Sequence, residues 1–188
     1  IRWYSLAYIA GISLGWLYCK KKLIKDSEVM VVFDDYITYL IVGIILGGRM
    51  GYILFYNLGY YISNPIEILM VWHGGMSFHG GVIGVIFASK IFSIKYKTNQ
   101  FIFLDLVALS APIGIFFGRI ANFINSELYG RVTDVPWSVQ FVLIDNIKRH
   151  PSQLYEAFLE GVMLFFILGY FFKNNYLRKP GQISGLFL

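Results

Sequence analysis

The stretch FIFLDLVALSAPIGIFFGRIANFINSELYGR, residues 101–131, decides the class of fold. Its first half is almost entirely apolar and carries one charge, Asp105, whereas its second half places Arg119, Asn122 and Glu127 among small and apolar residues. A helix needs roughly 20 predominantly apolar residues to cross a bilayer, and this run approaches that length. The stretch therefore predicts a membrane-spanning helix that leads into a polar segment.

The whole chain is apolar in the same way. Of its 188 residues, 57% are hydrophobic and 14% are charged, and its mean hydropathy is +0.61. A soluble all-helical core is the alternative, but a soluble domain of this size cannot bury so much apolar surface. We expect an all-α, polytopic membrane helix bundle that forms a single transmembrane domain over residues 1–188.

Five full transmembrane helices and the start of a sixth are expected, because the apolar residues fall into separate blocks. The blocks are Trp3–Leu17, Ile37–Tyr56, Phe78–Ile94, Phe101–Phe117, Gln153–Phe172 and a run that begins at Ile183. The chain opens on Ile1 rather than methionine and stops at Leu188 within an apolar run, so we expect both ends to be trimmed.

Orientation follows from the basic loops, because positive residues near span ends stay on the cytoplasmic side. The lysines and arginine concerned are Lys20, Lys21, Lys22, Lys25, Lys95, Lys97, Lys173, Arg178 and Lys179. Threading the spans in order predicts that the loops 57–77 and 118–152 face outward, the second as a polar head segment. Most of the net charge of +5 serves this signal. Because the positive residues are scattered over three loops and do not form one surface, we expect no nucleic-acid partner.

Small residues predict how the helices associate. Glycines recur four apart at Gly11 and Gly15 and again in the second, third and fourth blocks, and close approach at such residues is a usual source of helix packing in lipid. The single cysteine, Cys19, excludes an internal disulfide and a multi-cysteine metal site, and we interpret it as a packing residue.

Ionisable side chains within a span cost on the order of 3 kcal/mol, so each needs a partner or a function. The residues concerned are Arg49, His79, Asp105, Arg119, Glu156 and Glu160. If the helix of the opening stretch continues, Arg119, Asn122 and Ser126 share one face.

A second polar stripe is predicted in RHPSQLYEAFLEG, residues 149–161. Pro151 suits the first turn of a helix, and Gln153, Glu156 and Glu160 then share a face. Such residues can simply pair with each other or reach toward lipid headgroups. Because three separate segments place polar groups at one depth, the pattern favours a site for an anionic lipid headgroup, which arginine recognises well.

Two other classes of protein fit parts of this pattern. A transporter or lipid-handling channel also uses buried charges and glycine-rich spans, but no two blocks share a motif as repeated halves would. In a structural membrane protein the polar residues would be interface contacts.

Four motifs, in order along the chain, resemble those of the bacterial prolipoprotein diacylglyceryl transferase family. They are IRWY (1–4), WHGGMSFHGG (72–81), GRIANFINSELYGR (118–131) and RHPSQLYE (149–156). The resemblance implies an enzyme of the bacterial cytoplasmic (inner) membrane with its site toward the outer face. It moves a diacylglyceryl group from phosphatidylglycerol to the lipobox cysteine of a preprolipoprotein signal peptide and releases glycerol phosphate. Membrane lipid is its environment, and neither a metal nor a cofactor is implied.

The resemblance also implies site residues, on matching motif positions. Headgroup and substrate binding fall to Tyr4, Arg119, Asn122, Gly130 and His150, and catalysis to His79, Arg119, Glu127 and Glu156. A thiol with a pKa near 8.5 needs a base or a stabilising field. His79 is the first candidate base and Glu156 or Glu127 the second, while Arg119 is expected to neutralise the departing phosphate.

The sequence departs from the family pattern at Ser5, Ala121 and Ser126, where glycine is common. Ala121 and Ser126 are small and preserve the geometry. Family members also continue into a further span with another arginine and glutamate that help to build the site.

Overall fold

The computed structural model describes residues 3–174, 176 and 179–188, and most of them are helical, as predicted. Within these residues four helices are long and apolar enough to cross a membrane: α2 (Ser27–Tyr56), α4 (Phe78–Tyr96), α5 (Gln100–Ile124) and the helix Ser152–Lys173. The protein is therefore a multi-pass membrane protein. Helix α1 (Trp3–Tyr18) has 16 residues, fewer than the roughly 20 that a bilayer core requires. The count of five spans plus a sixth stays a prediction.

Shorter elements complete the described chain. A π-helical turn, Cys19–Leu23, follows α1, and the helix Ser152–Lys173 consists of α6 (Ser152–Glu156), a π-helical segment (Ala157–Met163) and α7 (Leu164–Lys173). The remaining elements are α3 (Leu58–Ser63), the 3-10 turns Pro65–Ile68 and Val71–His73, the strands β1 (Val139–Gln140) and β2 (Lys148–Arg149), and α8 (Gln182–Phe187). The two antiparallel strands form a small hairpin within the predicted head segment, which an all-α interpretation did not anticipate.

Two helices extend beyond their predicted apolar runs. Helix α2 begins at Ser27 rather than at Ile37, because the Asp26 side chain accepts the Glu28 backbone N–H at 2.8 Å and caps its first turn. Helix α5 continues past Phe117 to Ile124. Helix ends are set by caps and backbone hydrogen bonds, so they need not coincide with the ends of an apolar run.

The described chain divides into two compact units, residues 24–104 and residues 1–23 with 105–188. In the first unit, α2 and α4 pack through glycines, as the sequence predicted. An added Cβ at Gly43 would lie 2.6 Å from the Ala88 Cβ, and one at Gly51 would lie 2.7 Å from the Gly80 Cα. Side chains at these positions would therefore force the two helices apart.

Arg49, in α2, is 3% exposed and organises the loop that precedes α4. Its Nε donates to the Ile68 carbonyl at 3.1 Å, and its terminal nitrogens donate to the carbonyls of Glu67, Met70, Gly74 and Gly75. Five N–H groups thus meet five carbonyls, and the guanidinium also lies 5.1 Å from the Tyr61 ring. All of its donors are occupied, so Arg49 is not free to bind a phosphate.

In the second unit, α1 approaches α5 at Gly11, where an added Cβ would lie 3.0 Å from the Gly114 Cα. Asp105 in α5 is also explained. Its carboxylate accepts the backbone N–H groups of Gly181 at 2.8 Å and Ser184 at 2.7 Å, so it caps the start of α8. Arg178, which the sequence placed among the orientation signals, lies outside the described residues, as do the first two residues of the IRWY motif.

Candidate functional site

Arg119 forms the centre of a guanidinium–carboxylate cluster in the last turns of α5. Its terminal nitrogens lie 2.8 Å from the Glu156 carboxylate and 3.3 Å from the Glu160 carboxylate. The three side chains are 27%, 36% and 49% exposed, respectively. The two polar stripes of the sequence therefore meet, and the cluster is open enough for a ligand to reach the guanidinium.

A second group, the Tyr4 cluster, consists of Tyr4, Asn122 and Glu127. The Tyr4 hydroxyl donates to the Glu127 carboxylate and accepts a hydrogen bond from the Asn122 side-chain amide. The Glu127 backbone N–H donates to the Asn122 carbonyl at 2.9 Å. Asn122 follows Arg119 by three residues in α5, so the two side chains share a helix face, and the Tyr4 cluster belongs to the same unit as Arg119.

Glu127 lies in a strained turn, residues 125–130. Ser126 and Leu128, which flank it, have φ values of 57° and 53°, and this left-handed conformation costs roughly 1–2 kcal/mol for a residue with a Cβ. The prediction that Ser126 shares a helical face with Arg119 depended on continuation of α5, and it is wrong because α5 ends at Ile124. Strain in the backbone on either side of a candidate catalytic residue is typical of functional sites.

Gly130 and His150 connect this turn to the entry of α6. The Gly130 N–H donates to the His150 carbonyl at 3.0 Å, and an added Cβ at Gly130 would lie 2.8 Å from that oxygen. The His150 Nδ1 lies 3.1 Å from the Tyr155 hydroxyl, which accepts the Trp137 indole N–H at 2.7 Å. Sequence reasoning missed Tyr155 and Trp137.

The hairpin beside these residues carries its own ion pair. Arg149 lies 2.7 Å from the Asp145 carboxylate and 4.8 Å from the centre of the Tyr129 ring. The hydrogen bond from Arg149 and a second one from the Ile147 backbone N–H lower the pKa of Asp145 below its ordinary value. This pair fixes the return from β2 toward α6.

Pro151 differs from its predicted setting, and Gln153 makes a contact that the sequence did not predict. Pro151 precedes α6 instead of lying in its first turn, since the helix begins at Ser152. Gln153 is 0% exposed and donates to the Glu127 carbonyl at 2.6 Å. The helical period places it on the glutamate stripe, but that period alone does not indicate that it reaches the strained turn.

His79 lies in the other unit, in the first turn of α4, where its side chain is exposed. The Ser77 hydroxyl caps this helix by accepting the Gly80 N–H at 3.2 Å. Whether His79 shares a site with Arg119 stays a prediction.

The second unit therefore brings together, at one end of α5 and the start of α6, every predicted site residue except His79. Chemically, the group offers one partly exposed guanidinium, three carboxylates, a phenol and an amide. Guanidinium groups recognise phosphates, carboxylates can accept protons, and the phenol and amide can orient polar substrate atoms. Together with the spanning helices, these groups define a multi-pass membrane protein with a charged, accessible site at the end of α5 and the start of α6.

Comparison with known proteins gives the family. The family model described as prolipoprotein diacylglyceryl transferase matches residues 1–188. Three relatives carry the name phosphatidylglycerol--prolipoprotein diacylglyceryl transferase. The relatives from Rickettsia felis, Rickettsia bellii and Azospirillum brasilense are 52%, 54% and 52% identical to this chain, respectively. Each match covers 100% of this chain and 74%, 73% and 72% of the relative, respectively. The chain belongs to the prolipoprotein diacylglyceryl transferase family, a family of transferases.

Proposed function

We propose that this protein transfers the diacylglyceryl group of phosphatidylglycerol to the lipobox cysteine thiol of preprolipoprotein signal peptides, with release of glycerol phosphate. The observation that carries the proposal is the match of the whole chain to one transferase family. The arrangement of the second unit supports it, because a guanidinium, carboxylates and a phenol–amide pair gather around α5.

The nucleophile belongs to the substrate. Cys19 is the only cysteine of the chain, it is 2% exposed, and its thiol lies 3.7 Å from the Leu106 carbonyl. A buried thiol of this kind cannot attack a lipid headgroup. The sulfur that forms the new bond therefore comes from the incoming peptide.

The reaction exchanges one bond for another at a glycerol carbon. The peptide sulfur, after loss of its proton to a base, forms a C–S bond with the carbon that carries the phosphate. The C–O bond to that phosphate breaks, and its electron pair leaves with the phosphate oxygen. Glycerol phosphate then departs, and the proton held by the base is released to it or to water.

Arg119 stabilises the phosphate as it leaves. In the free site its guanidinium faces two carboxylates, Glu156 and Glu160, so an anionic headgroup has to compete with them. Glu160 is the weaker and more exposed partner, at 3.3 Å and 49% exposure. We infer that the lipid phosphate replaces Glu160 while Glu156 keeps the guanidinium in place. A preorganised charge of this kind is worth about 3–4 kcal/mol in a dry site.

His79 remains the first candidate base, with Glu127 and Glu156 as the second candidates. Glu127 accepts the Tyr4 hydroxyl, and Glu156 is paired with Arg119, so both carboxylates already have hydrogen-bond or ion-pair partners in the free site. The exposed imidazole of His79 can accept a proton, as a base for a thiol must. Tyr4, Asn122, Gly130 and His150 would orient the lipid and the peptide.

The site faces outward from the bacterial cytoplasmic (inner) membrane. Each basic segment lies at the opposite end of a helix from a candidate site residue of that helix. Lys20–Lys22 follow α1, which begins near Tyr4, and Lys95 ends α4, which begins near His79. Lys97 precedes α5, which carries Arg119 in its last turns, and Lys173 ends the helix that carries Glu156 in its first turns. Positive residues of this kind are retained in the cytoplasm. An exported signal peptide would thus present its cysteine on the side of the cluster.

A transfer assay tests this function. The full natural chain is incorporated in phosphatidylglycerol vesicles with a lipobox peptide, and release of glycerol phosphate and the mass of the peptide are measured. Transfer to the cysteine peptide but not to a serine control is expected. Arg119→Lys should reduce the rate at least 100-fold, because one ammonium cannot reproduce the planar fork of a guanidinium. Absence of transfer by the folded wild-type protein would contradict the proposed function. Normal transfer by Arg119→Lys would contradict the role of Arg119 in headgroup recognition.

A further inference from the structure

The 125–130 turn contains disfavoured backbone conformations on both sides of Glu127. Ser126 and Leu128, on either side of Glu127, adopt φ values of 57° and 53°, a conformation that residues with a Cβ disfavour. Such a backbone persists only where neighbouring groups fix it. Those neighbours determine where the Glu127 carboxylate lies.

Two side chains from the first turn of α6 fix the turn. The Gln153 amide donates to the Glu127 carbonyl at 2.6 Å, and the Ser152 hydroxyl donates to the Leu128 carbonyl at 2.8 Å. The Glu127 N–H is bound on its other side by the Asn122 carbonyl at 2.9 Å. The backbone of Glu127 is therefore held at both its donor and its acceptor.

Gln153 is poorly suited to be only a packing residue. It is fully buried, and its Oε1 has no hydrogen-bond partner within the part of the chain that the structure describes. A buried, unpaired carbonyl oxygen is unfavourable, and an apolar side chain of similar size would avoid it. What the amide supplies, and an apolar side chain cannot, is the N–H that reaches Glu127.

We propose that Gln153 is a positioning residue of the transferase site, which holds Glu127 in its strained turn so that the carboxylate meets the Tyr4 hydroxyl. The inference rests on the proposed function, in which Glu127 takes part. Since both polar atoms of Gln153 are enclosed, it acts through Glu127 and does not touch the substrate.

The test compares Gln153→Met with Gln140→Met in phosphatidylglycerol vesicles. Methionine fills a similar volume without the donor. Gln140 is the matched control, because its side-chain amide also donates to a backbone carbonyl of the same unit, that of Asn146 at 3.1 Å, and not to Glu127. Gln153→Met should lower kcat about 10-fold or more, with KM for the lipid and the unfolding temperature close to wild type, because small displacements of a catalytic group lower kcat. Gln140→Met should transfer normally.

A second substitution separates positioning from loss of fold. Leu128 is 62% exposed, so Leu128→Gly removes little packing, and glycine adopts positive φ without strain. In the Gln153→Met background, Leu128→Gly should raise kcat at least threefold above that of Gln153→Met alone. A role limited to packing predicts no such rescue.

The outcomes distinguish this inference from the function on which it rests. If Glu127→Gln is impaired, two results overturn the positioning role of Gln153. One is a normal kcat in Gln153→Met, and the other is a loss of kcat that Leu128→Gly fails to rescue. Normal transfer by Glu127→Gln instead removes Glu127 from the proposed mechanism and the inference with it. Absence of transfer by the wild-type chain overturns the proposed function as a whole.

Discussion

Gly130→Ala provides the sharpest quantitative test of the site, because a single methyl group is added where the structure has no room for it. The new Cβ would lie 2.8 Å from the His150 carbonyl oxygen and 2.9 Å from the His150 Cβ. The turn would have to move away from the entry of α6, and the hydrogen bond from the Gly130 N–H to the His150 carbonyl, 3.0 Å long, would lengthen or break.

The magnitude follows from these two effects. Overpacking typically costs about 1–3 kcal/mol, and a lost neutral hydrogen bond costs about 0.5–1.5 kcal/mol. Together they amount to roughly 1.5–4.5 kcal/mol. If this whole energy is added to the barrier of the reaction, transfer slows by roughly 10- to 2,000-fold, at 1.36 kcal/mol for each factor of ten.

The assay is release of glycerol phosphate from phosphatidylglycerol vesicles in the presence of a lipobox peptide. Gly169→Ala is the matched control, because an added Cβ there would meet no atom within 4 Å and alanine is favoured over glycine in a helix by about 1 kcal/mol. It should transfer normally. A Gly130→Ala protein that keeps a rate within threefold of wild type would refute the reasoning, and so would an equal loss in Gly169→Ala.

Three other substitutions have defined outcomes. Tyr4→Phe removes the hydroxyl that joins the Asn122 amide and the Glu127 carboxylate. The rate of glycerol phosphate release by folded protein should therefore fall about 100-fold. An unchanged rate would exclude a role for the hydroxyl. Glu160→Gln removes a competing anion 3.3 Å from Arg119, so the KM for phosphatidylglycerol should fall several-fold, and an unchanged or higher KM would contradict the exchange of Glu160 for phosphate. Because Arg149 lowers the pKa of Asp145, this pair stabilises the hairpin above the ordinary carboxyl pKa, and the contribution is lost as pH falls through the lowered value. Hydrogen exchange should therefore be faster in Asp145→Asn than in wild type at pH 7 and converge with it in strong acid; equal exchange at pH 7 would show that the pair does not stabilise the hairpin.

The sequence predicted membrane-spanning helices well, because a long apolar run satisfies its backbone hydrogen bonds in a bilayer almost only as a helix. It was less informative about helix ends. The pair Asp34 and Asp35 breaks the apolar run, yet α2 continues through it from Ser27, because the Asp26 cap and the backbone bonds set its start.

The candidate site divides in the same way. The pairing of Arg119 with Glu156 and Glu160 could be anticipated from helical periodicity, since both stripes repeat at three or four residues. The contacts of α6 with the turn that follows α5 could not, because Ser152 and Gln153 reach the Leu128 and Glu127 carbonyls over more than 20 residues of chain and have no local signal in the sequence.

Arg49 has a consequence for how the protein is assembled in the membrane. Its charge would be unsolvated in the hydrocarbon until the carbonyls of the following loop surround it. These carbonyls take the place of a hydration shell, and they become available only after the segment that follows α2 has been synthesised and folded back. We therefore expect insertion of α2 to be coupled to closure of this loop, because its backbone carbonyls replace the water around the guanidinium.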